Sequence, residues 1–194
     1  MADEKQPPPD GLSLVIDYVN TRDREAGSDD IGTPSELGRW LHEHGLLDGR
    51  TASELGEGEL QRAVELREEL REHMFANNAD QPADWGALDR IVRRGRLQVR
   101  FTDDGEALLE PAAAGFDGAL AGLLVPVAVA ARAGSWRRVK ACAADTCQWA
   151  FYDRSRNRSG RWCEMAVCGN RTKVRSYRAR SSAGGEPQDA GAGS

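Results

Sequence analysis

The chain is poor in histidine, cysteine and aromatic residues, and these shortages limit the kinds of chemistry it can carry. Its 194 residues include three His and four Cys, and aromatic residues make up 6% of the total. His42, His44 and His73 fall on predicted helices without a convincing metal-ligand spacing. We find neither a nucleophile paired with a general base nor a glycine-rich phosphate loop. An enzyme is therefore the minority interpretation, and no catalytic residue is predicted.

Long apolar runs and a secretory signal are also missing. The longest apolar stretch extends from Ala119 to Ala131 and contains Pro126, whereas a membrane-spanning helix needs about 20 apolar residues. Residues 1–10 are acidic and rich in proline, which is the opposite of a signal peptide. We therefore expect a soluble, cytoplasmic protein without a membrane partner.

Charge is distributed very unevenly along the chain. The net charge is −5, yet residues 132–180 carry thirteen Lys or Arg against three acidic residues. Residues 1–131 carry thirteen Lys or Arg against twenty-six acidic residues. An acidic body joined to a basic segment is typical of a protein that binds a polyanion through one end.

All four cysteines lie in this basic segment and form two similar pairs. Cys142 and Cys147 are separated by four residues, as are Cys163 and Cys168, and fifteen residues lie between the pairs. Such pairs can direct four thiolates at one tetrahedral Zn²⁺. The alternatives are four unrelated thiols or two disulfides, and disulfides need an oxidising compartment that nothing here indicates. The sequence therefore predicts one structural zinc ion, and its chelation is expected to unfold residues 136–180.

Hydrophobic periodicity predicts a mostly helical domain before the cysteines. Helices are predicted at residues 11–20, 33–45, 57–77, 84–94 and 115–132, the last one buried and opened or kinked at Pro126. Thr33 and Pro34 supply an N-cap and a first-turn proline for the second helix. The helix at 57–77 has a second face of Glu/Arg pairs. Residues 22–32 are predicted as a loop, and residues 96–110 as a β-hairpin.

The basic segment has a different organisation. It predicts a strand at residues 148–153, a basic turn at 154–160, a return strand starting at Arg161, and a helix over 169–180. The predicted fold is α+β: a mostly α-helical N-terminal domain with one β-hairpin (11–133), then a small treble-clef-like or ribbon-like four-Cys zinc module (134–180). Residues 1–10 and 181–194 are predicted to be a disordered leader and tail.

The basic residues of the module are candidates for nucleic-acid contacts. An arginine side chain donates two hydrogen bonds to one phosphate or to guanine in the major groove. The alternatives are that these residues form a solvated face or that they dock onto the acidic N-terminal domain. Duplex DNA is preferred to RNA because no aromatic stacking platform is evident. The candidates are Arg154, Arg156, Arg158, Arg161, Arg171, Lys173, Arg175, Arg178 and Arg180.

Three polar residues end the first predicted helix. Asp17, Asn20 and Thr21 either cap that helix, which is the commoner use of such side chains, or line a pocket for a small ligand. The sequence leaves both alternatives open.

The run Cys168-Gly169-Asn170-Arg171, together with the upstream run from Phe151 to Arg158 and the stretch from Trp162 to Met165, resembles the CGNR zinc-finger family. The stretches from Asp17 to Thr21 and from Trp40 to Leu46 resemble parts of the ABATE domain that usually precedes this finger. The resemblance implies a bacterial, stress-responsive transcription regulator whose finger binds zinc through the four cysteines and binds DNA. We expect Gly169 to let the backbone turn, Asn170 to fix the helix start and Arg171 to point outward.

The predicted function is therefore a DNA-binding transcription regulator with an N-terminal sensor or interaction domain. A homodimer is expected because a monomer would read few base pairs, and a small-molecule effector is a further expected partner. Two alternatives remain: a zinc-stabilised module that contacts acidic proteins, and a small-molecule-binding or enzymatic N-terminal domain.

Overall fold

The computed structural model describes residues 7–9 and 11–174. A 3₁₀ turn at Trp136–Arg138 joins the last long helix to the cysteine region, and a π turn at Met165–Gly169 begins a helical segment described as far as Val174. The other elements are α1 (Leu12–Asn20), β1 (Arg22–Asp23), β2 (Ser28–Asp29), α2 (Pro34–Glu43), α3 (Gly49–Ser53), α4 (Glu57–Ala79), α5 (Gly86–Gly95), β3 (Leu97–Phe101), β4 (Ala107–Pro111), α6 (Gly115–Ala133), β5 (Val139–Ala141) and β6 (Ala150–Tyr152). The α+β class is confirmed. Residues 11–133, which are mostly helical, are called the front domain, and residues 134–174 are called the finger.

The core of the front domain forms where α1, α4 and α6 pack together. Leu12, Val15 and Val19 of α1 are fully buried, which is the result of apolar residues recurring every three to four positions. The hydroxyl of Tyr18, also buried, donates a 2.6 Å hydrogen bond to the Ala63 carbonyl on α4. The predicted first helix is therefore confirmed, and it is central to the fold despite its nine residues.

Capping residues set the boundaries of α2 and α3. Pro34 is the first residue of α2, and the Thr33 side chain accepts a hydrogen bond from the Glu36 N–H, as predicted. Helix α3 was not expected from the sequence. The Asp48 side chain accepts hydrogen bonds from the N–H groups of Arg50 and Thr51 and so caps it. Five residues are too few for a hydrophobic period to be visible.

The segment predicted as a loop at residues 22–32 contains a short hairpin, each strand of which is two residues long. Strands β1 and β2 pair Arg22 with Asp29. The Asp29 carboxylate accepts hydrogen bonds of 2.7 and 2.9 Å from the Arg67 guanidinium on α4. This long-range ion pair orders the segment, and no local sequence pattern signals it.

Two arginines from the face of Glu/Arg pairs on α4 lie inside the protein. Arg67 and Arg71 are 3% and 1% exposed. Their burial is tolerated because each guanidinium is hydrogen-bonded, Arg67 to Asp29 and Thr21 and Arg71 to Glu68 and two backbone carbonyls. Buried charges persist in proteins only when they are paired in this way.

The predicted hairpin at 96–110 is confirmed as β3 and β4, with Leu97 opposite Pro111 and Phe101 opposite Ala107. Helix α5 leads into it and packs closely on α6. A Cβ atom at Gly95 would lie 2.1 Å from the Cβ of Ala121, so this position needs a glycine. Trp85, predicted inside this helix, is its N-cap residue and is 41% exposed.

Helix α6 is longer than the apolar stretch read from the sequence. Its 19 residues include Pro126 without an interruption of the helix. By length and composition alone it could cross a membrane, so the expectation that no segment is long enough was wrong. The rest of the protein buries one side of it, as in the core helix of a soluble protein. The buried residues are Phe116, Gly118, Ala119, Leu120, Ala121, Leu123, Leu124, Val127 and Ala130.

The hairpin of the finger differs from the predicted one. Strand β5 pairs with β6, with Val139 opposite Tyr152 and Ala141 opposite Ala150, so the first cysteine pair lies in the loop between the strands. No strand begins at Arg161 in the described chain. The reason is that the buried face of β5 packs into the front domain, where Val139 and Ala141 belong to the same hydrophobic core as α1, α4 and α6.

Candidate metal centre and nucleic-acid interface

Turns bring the four cysteine sulfurs together. Cys142 directly follows β5, and its N–H donates to the Trp149 carbonyl (2.9 Å), which closes the loop between the strands. Cys147 lies in a turn within this loop. Cys168 lies in the π turn, where its N–H donates to the Glu164 carbonyl (2.9 Å). The four sulfurs all lie within 4.8 Å of one another.

The spacing of the sulfurs fits a tetrahedral metal ion. The Sγ atoms of Cys147 and Cys163 are 3.6 Å apart, and those of Cys163 and Cys168 are 3.7 Å apart. A tetrahedral zinc with Zn–S bonds of about 2.3 Å holds its sulfurs about 3.8 Å apart, whereas a disulfide bond is about 2.05 Å long. All four cysteines are free thiols. The chain therefore carries a metal-binding set of four thiols, as expected from their spacing.

Burial opposes the ionisation of two of these thiols, Cys163 and Cys168. It raises the pKa of Cys168 to about 11. Burial, reinforced by the neighbouring sulfurs Cys142 and Cys147, raises the pKa of Cys163 further. Four thiolates in one cluster would repel one another, and a divalent cation removes that repulsion and deprotonates its ligands. The donor set therefore suits a metal ion better than four separate reactive thiols.

The front domain holds the first cysteine loop through a buried arginine. Arg71 donates hydrogen bonds to the carbonyls of Gln148 (2.7 Å) and Val19 (2.8 Å). Gln148 follows the ligand Cys147 directly and has a left-handed backbone (φ 56°), which is uncommon for a residue with a side chain. Arg71 therefore stabilises a strained turn beside the metal ligands.

Two adjacent asparagines at the end of α4 hold the rest of the finger. The side-chain amides of Asn77 and Asn78 each donate to two backbone carbonyls of the finger, at 2.8 to 3.1 Å. Strand β5 and the segment before Cys163 are thereby fixed to the long helix of the front domain. The acceptors are Trp136 and Val139 for Asn77, and Ala141 and Arg161 for Asn78.

The residues proposed for a ligand pocket at the end of α1 have structural partners. Asn20 is buried and exchanges two hydrogen bonds with the backbone of Ala150 on β6, at 2.7 and 3.0 Å. Thr21 donates to the Tyr18 carbonyl (2.8 Å) and so ends the helix, as the capping alternative expects. Asp17 is exposed. Asn20 and Thr21 therefore serve the architecture, and the pocket interpretation of this group is corrected.

A buried ion pair shapes the basic loop after β6. Lys140 and Asp153 are each 3% exposed, and their Nζ and Oδ2 atoms are 2.8 Å apart. Lys140 also donates to the carbonyls of Arg158 (2.5 Å) and Gly160 (3.0 Å). Burial opposes ionisation of Asp153, but hydrogen bonds from Lys140 and Ser155 outweigh it and lower its pKa. Residues 154–160 therefore form a loop that the buried Lys140 side chain stabilises, and not the tip of a hairpin.

The described basic candidates all reach the surface. Arg154 lies over the ring of Tyr152 (5.4 Å) and Arg161 over that of Trp162 (5.7 Å). Arg175, Arg178 and Arg180 lie outside the described residues. Those exposed in the described part are Arg154, Arg156, Arg158, Arg161, Arg171 and Lys173.

The Gly-Asn-Arg run does not act quite as expected. Gly169 continues the π turn, and a Cβ there would lie 2.5 Å from Met165 Sδ, so the glycine makes room for a side chain and does not turn the chain. Asn170 bonds back to the Ala166 carbonyl (3.0 Å). Arg171 is exposed but pairs with Glu25 of the front domain at 2.6 Å.

Sequence reasoning missed the residues that orient the metal loops. In the sequence, Arg71 belongs to one of the Glu/Arg pairs of the helix predicted at 57–77, and Asn77 and Asn78 lie at its end, with no sign that any of them reaches the finger. The one feature of the sequence that could have indicated this role is that Arg71, Asn77 and Asn78, which carry several hydrogen-bond donors, lie close together on α4. Lys140 lies between Val139 and Ala141, and Asp153 follows Tyr152, but which partner each would find depends on how β5 and β6 pair.

Two family models match the chain. The model described as "CGNR zinc finger" matches residues 138–181, and the ABATE model, described as "Putative stress-induced transcription regulator", matches residues 12–134. A search of curated proteins returned no match. The resemblance read from the sequence is thus confirmed, with the finger model covering all four cysteines and the ABATE model covering the helical front domain. The chain belongs to the ABATE family and carries a CGNR zinc finger after its ABATE domain.

Proposed function

We propose that the protein is a cytoplasmic, non-enzymatic transcription regulator that binds duplex DNA through its finger. The observation that carries the proposal is a division among the cations of the finger. Lys140 and Arg138 donate to backbone carbonyls and are structural. Arg156, Arg158 and Lys173 are exposed. Within residues 11–174, none of these three side chains has a carboxylate partner, so they are available to phosphates.

The metal in this proposal is Zn²⁺, held by Cys142, Cys147, Cys163 and Cys168. Four thiolates with no imidazole or carboxylate among them are a soft donor set that favours zinc. When bound, the ion supplies a cross-link between the two cysteine pairs and leaves no open coordination position. The residues of the chain then present the basic surface: the loop at 154–161 and the helical segment that carries Arg171 and Lys173.

The internal support of the basic loop favours binding. The buried pair Lys140–Asp153 fixes the backbone of the loop before any ligand arrives, so that less conformational entropy is lost on association. Arginine guanidinium groups on a pre-ordered loop donate paired hydrogen bonds to phosphate oxygens. Such contacts orient a protein on the duplex, and base-edge contacts would supply sequence preference.

The decisive experiment measures binding of zinc-loaded protein to mixed duplex DNA across a salt series. For wild type, the logarithm of the affinity should fall with the logarithm of the salt concentration by about 0.9 per neutralised phosphate. The double variant Arg156→Ala/Arg158→Ala should lower that slope by about 1 to 2. The matched control is Arg90→Ala/Arg94→Ala, which removes the same charge from exposed positions of α5 and should leave the slope unchanged.

A second function is favoured by the Arg171–Glu25 ion pair, because it shows a finger arginine bound to a carboxylate. In this alternative the finger contacts acidic proteins instead of DNA. Absence of duplex binding at low salt, or equal loss of slope in both double variants, would contradict the DNA proposal and favour the protein-binding one.

A further inference from the structure

A cleft of about 430 Å³ lies where the front domain meets the finger. Its walls come from α4, the segment between α4 and α5, the end of α6 and the 3₁₀ turn that leads into β5. Its volume falls in the range of small-molecule sites. The lining residues that matter here are His73, Asp80, Trp85, Ala131, Trp136 and Arg137.

Two side chains of this lining bury a nitrogen without a partner. His73 is 2% exposed and Trp136 is 3% exposed. The Nδ1 atom of His73 and the Nε1 atom of Trp136 have no hydrogen-bond partner in the described part of the chain. Leaving such groups unpaired opposes folding, and nearly all buried polar atoms in proteins are satisfied. Both atoms are shielded in this arrangement, so a molecule in the cleft would reach them only after a neighbouring side chain moves.

The two nitrogens have opposite hydrogen-bonding character. The indole Nε1 of Trp136 carries a hydrogen and can only donate. The Nε2 atom of His73 lies 3.1 Å from the Asp84 carbonyl, which can only accept, and 3.6 Å from a carboxylate oxygen of Glu69. Nε2 therefore carries the hydrogen of the neutral ring, and Nδ1 is an acceptor. The cleft presents one donor and one acceptor.

Trp85 gives the cleft an aromatic wall that can move. Its ring centroid is 4.3 Å from that of His73 and 6.3 Å from that of Trp136. It contacts both rings, yet 41% of Trp85 is exposed, so this side chain has open space to turn into and is the one that would have to move for a ligand to reach the two nitrogens. At the rim, Arg137 and Asp80 lie 3.8 Å apart and balance each other's charge, which favours an uncharged occupant.

We propose that this cleft binds a flat, uncharged heteroaromatic molecule with an N–H donor beside a carbonyl or ring-nitrogen acceptor. The N–H of the ligand would donate to His73 Nδ1, its acceptor would receive the Trp136 indole hydrogen, and Trp85 would cover its face. The site adjoins the finger directly, because the Trp136 carbonyl is one of the groups that Asn77 holds at the start of β5. The proposal does not depend on DNA binding.

The test uses ¹⁵N–¹H NMR of the full, zinc-loaded chain without DNA. The probes are 2-pyridone and adenine, which carry a donor next to an acceptor, and benzoate, which carries a charge instead. The Trp136 indole signal is assigned as the one that disappears in Trp136→Phe. We expect 2-pyridone and adenine to shift this signal saturably and benzoate to leave it in place. Binding to Trp136→Phe, which lacks the indole signal, is measured from backbone amide signals. It should be about tenfold weaker than binding to wild type because one hydrogen bond is lost.

A second variant, which fills the cleft, tests the proposal even if Trp136→Phe fails to fold. Ala131→Leu places a larger side chain from the exposed side of α6 into the cleft and should abolish the shift. Ala133→Leu makes the same change at an exposed position of α6 outside the lining and should leave binding intact. No shift with either heteroaromatic probe, an equal response to benzoate, or binding that survives Ala131→Leu would each overturn the proposal and leave water as the partner of the two nitrogens.

Discussion

The front domain and the finger are held together by different forces. The front domain has a continuous apolar core in which α1 contributes fully buried side chains such as Val15 and Val19. Among the residues that the structure describes, the buried cluster that the finger forms by itself consists of Cys142, Ala144 and Cys168. Such a small cluster contributes little hydrophobic free energy. The finger therefore depends on the metal and on polar groups that the front domain extends to it.

The finger itself has two parts that are stabilised differently: the strands and the cysteine loops. Val139, Ala141 and Ala150, on the strands β5 and β6, belong to the core of the front domain, whereas the loops that carry the cysteines do not. The expectation that chelation unfolds all of residues 136–180 treated the finger as a separate module. The structure instead predicts that the strands outlast the metal loops.

The largest expected effect comes from removing the metal. Exhaustive chelation should abolish amide hydrogen-exchange protection around Cys147, Cys163 and Cys168, since metal binding supplies the order of such loops. Protection should persist in β5 and β6 and in α4. Hydrogen exchange followed by mass spectrometry of zinc-loaded and chelated protein measures both regions at once. Simultaneous loss of protection in the strands and the loops would show that the finger is one cooperative unit after all.

The next effect concerns the link between the two regions. Arg71→Met should lower the free energy of unfolding by about 3–5 kcal/mol, because it breaks a buried charged network and leaves the carbonyls of Gln148 and Val19 without donors. Affinity for zinc should also fall by about 10- to 100-fold, as expected for loss of a group that orients metal ligands. Denaturant titration and competition with a zinc chelator measure the two effects.

Arg90→Met is the matched control for that variant, since Arg90 is exposed on α5. It should change the free energy of unfolding by less than about 0.5 kcal/mol and leave zinc affinity unchanged. Unchanged zinc affinity in Arg71→Met would mean that Arg71 stabilises the fold without orienting the metal loop.

A smaller, pH-dependent effect belongs to the front domain. Burial opposes ionisation of Asp29, but hydrogen bonds from Arg67 outweigh it and lower the pKa of Asp29 below the ordinary value of 3.8. Its ionised form therefore stabilises the fold above pH 3.8, and this contribution is lost as the pH falls through the lower folded-state pKa. Asp29→Asn should cost about 1.5–3 kcal/mol at pH 7, and its difference from wild type should shrink below pH 3.8.

Denaturant titrations of metal-free protein at several pH values measure this difference without interference from zinc release. A difference that stays constant from pH 7 to pH 3 would indicate that the loss comes from packing and not from the charge of Asp29.

The smallest expected effect tests the surface contact between the regions. Glu25→Gln removes the carboxylate that pairs with Arg171, and exposed ion pairs contribute about 0.2–1 kcal/mol. Duplex affinity at low salt should rise by up to about fivefold. Glu54→Gln, which removes the same charge from a pair with Arg50, is the control and should produce a much smaller change. Equal gains in both variants would reflect net charge alone.

Local sequence patterns predicted much of this protein. Apolar periodicity located α1, α4 and α6, the residues Thr33 and Pro34 marked the start of α2, and alternation around a Gly turn predicted β3 and β4. The spacing of the cysteines indicated the four metal ligands. Each of these features depends on residues that are close together in the sequence, where backbone geometry relates position to direction.

What only the tertiary structure decided are the partners of polar groups far apart in the chain. Arg71 reaches Gln148 across 77 positions, Asn20 reaches Ala150 across 130, and Arg171 reaches Glu25 across 146. A guanidinium or amide looks the same in the sequence whether it faces water or a buried carbonyl. Which of the two it meets is determined by helix packing, because desolvation makes an unpaired buried group costly and so favours the arrangement in which most such groups find a partner.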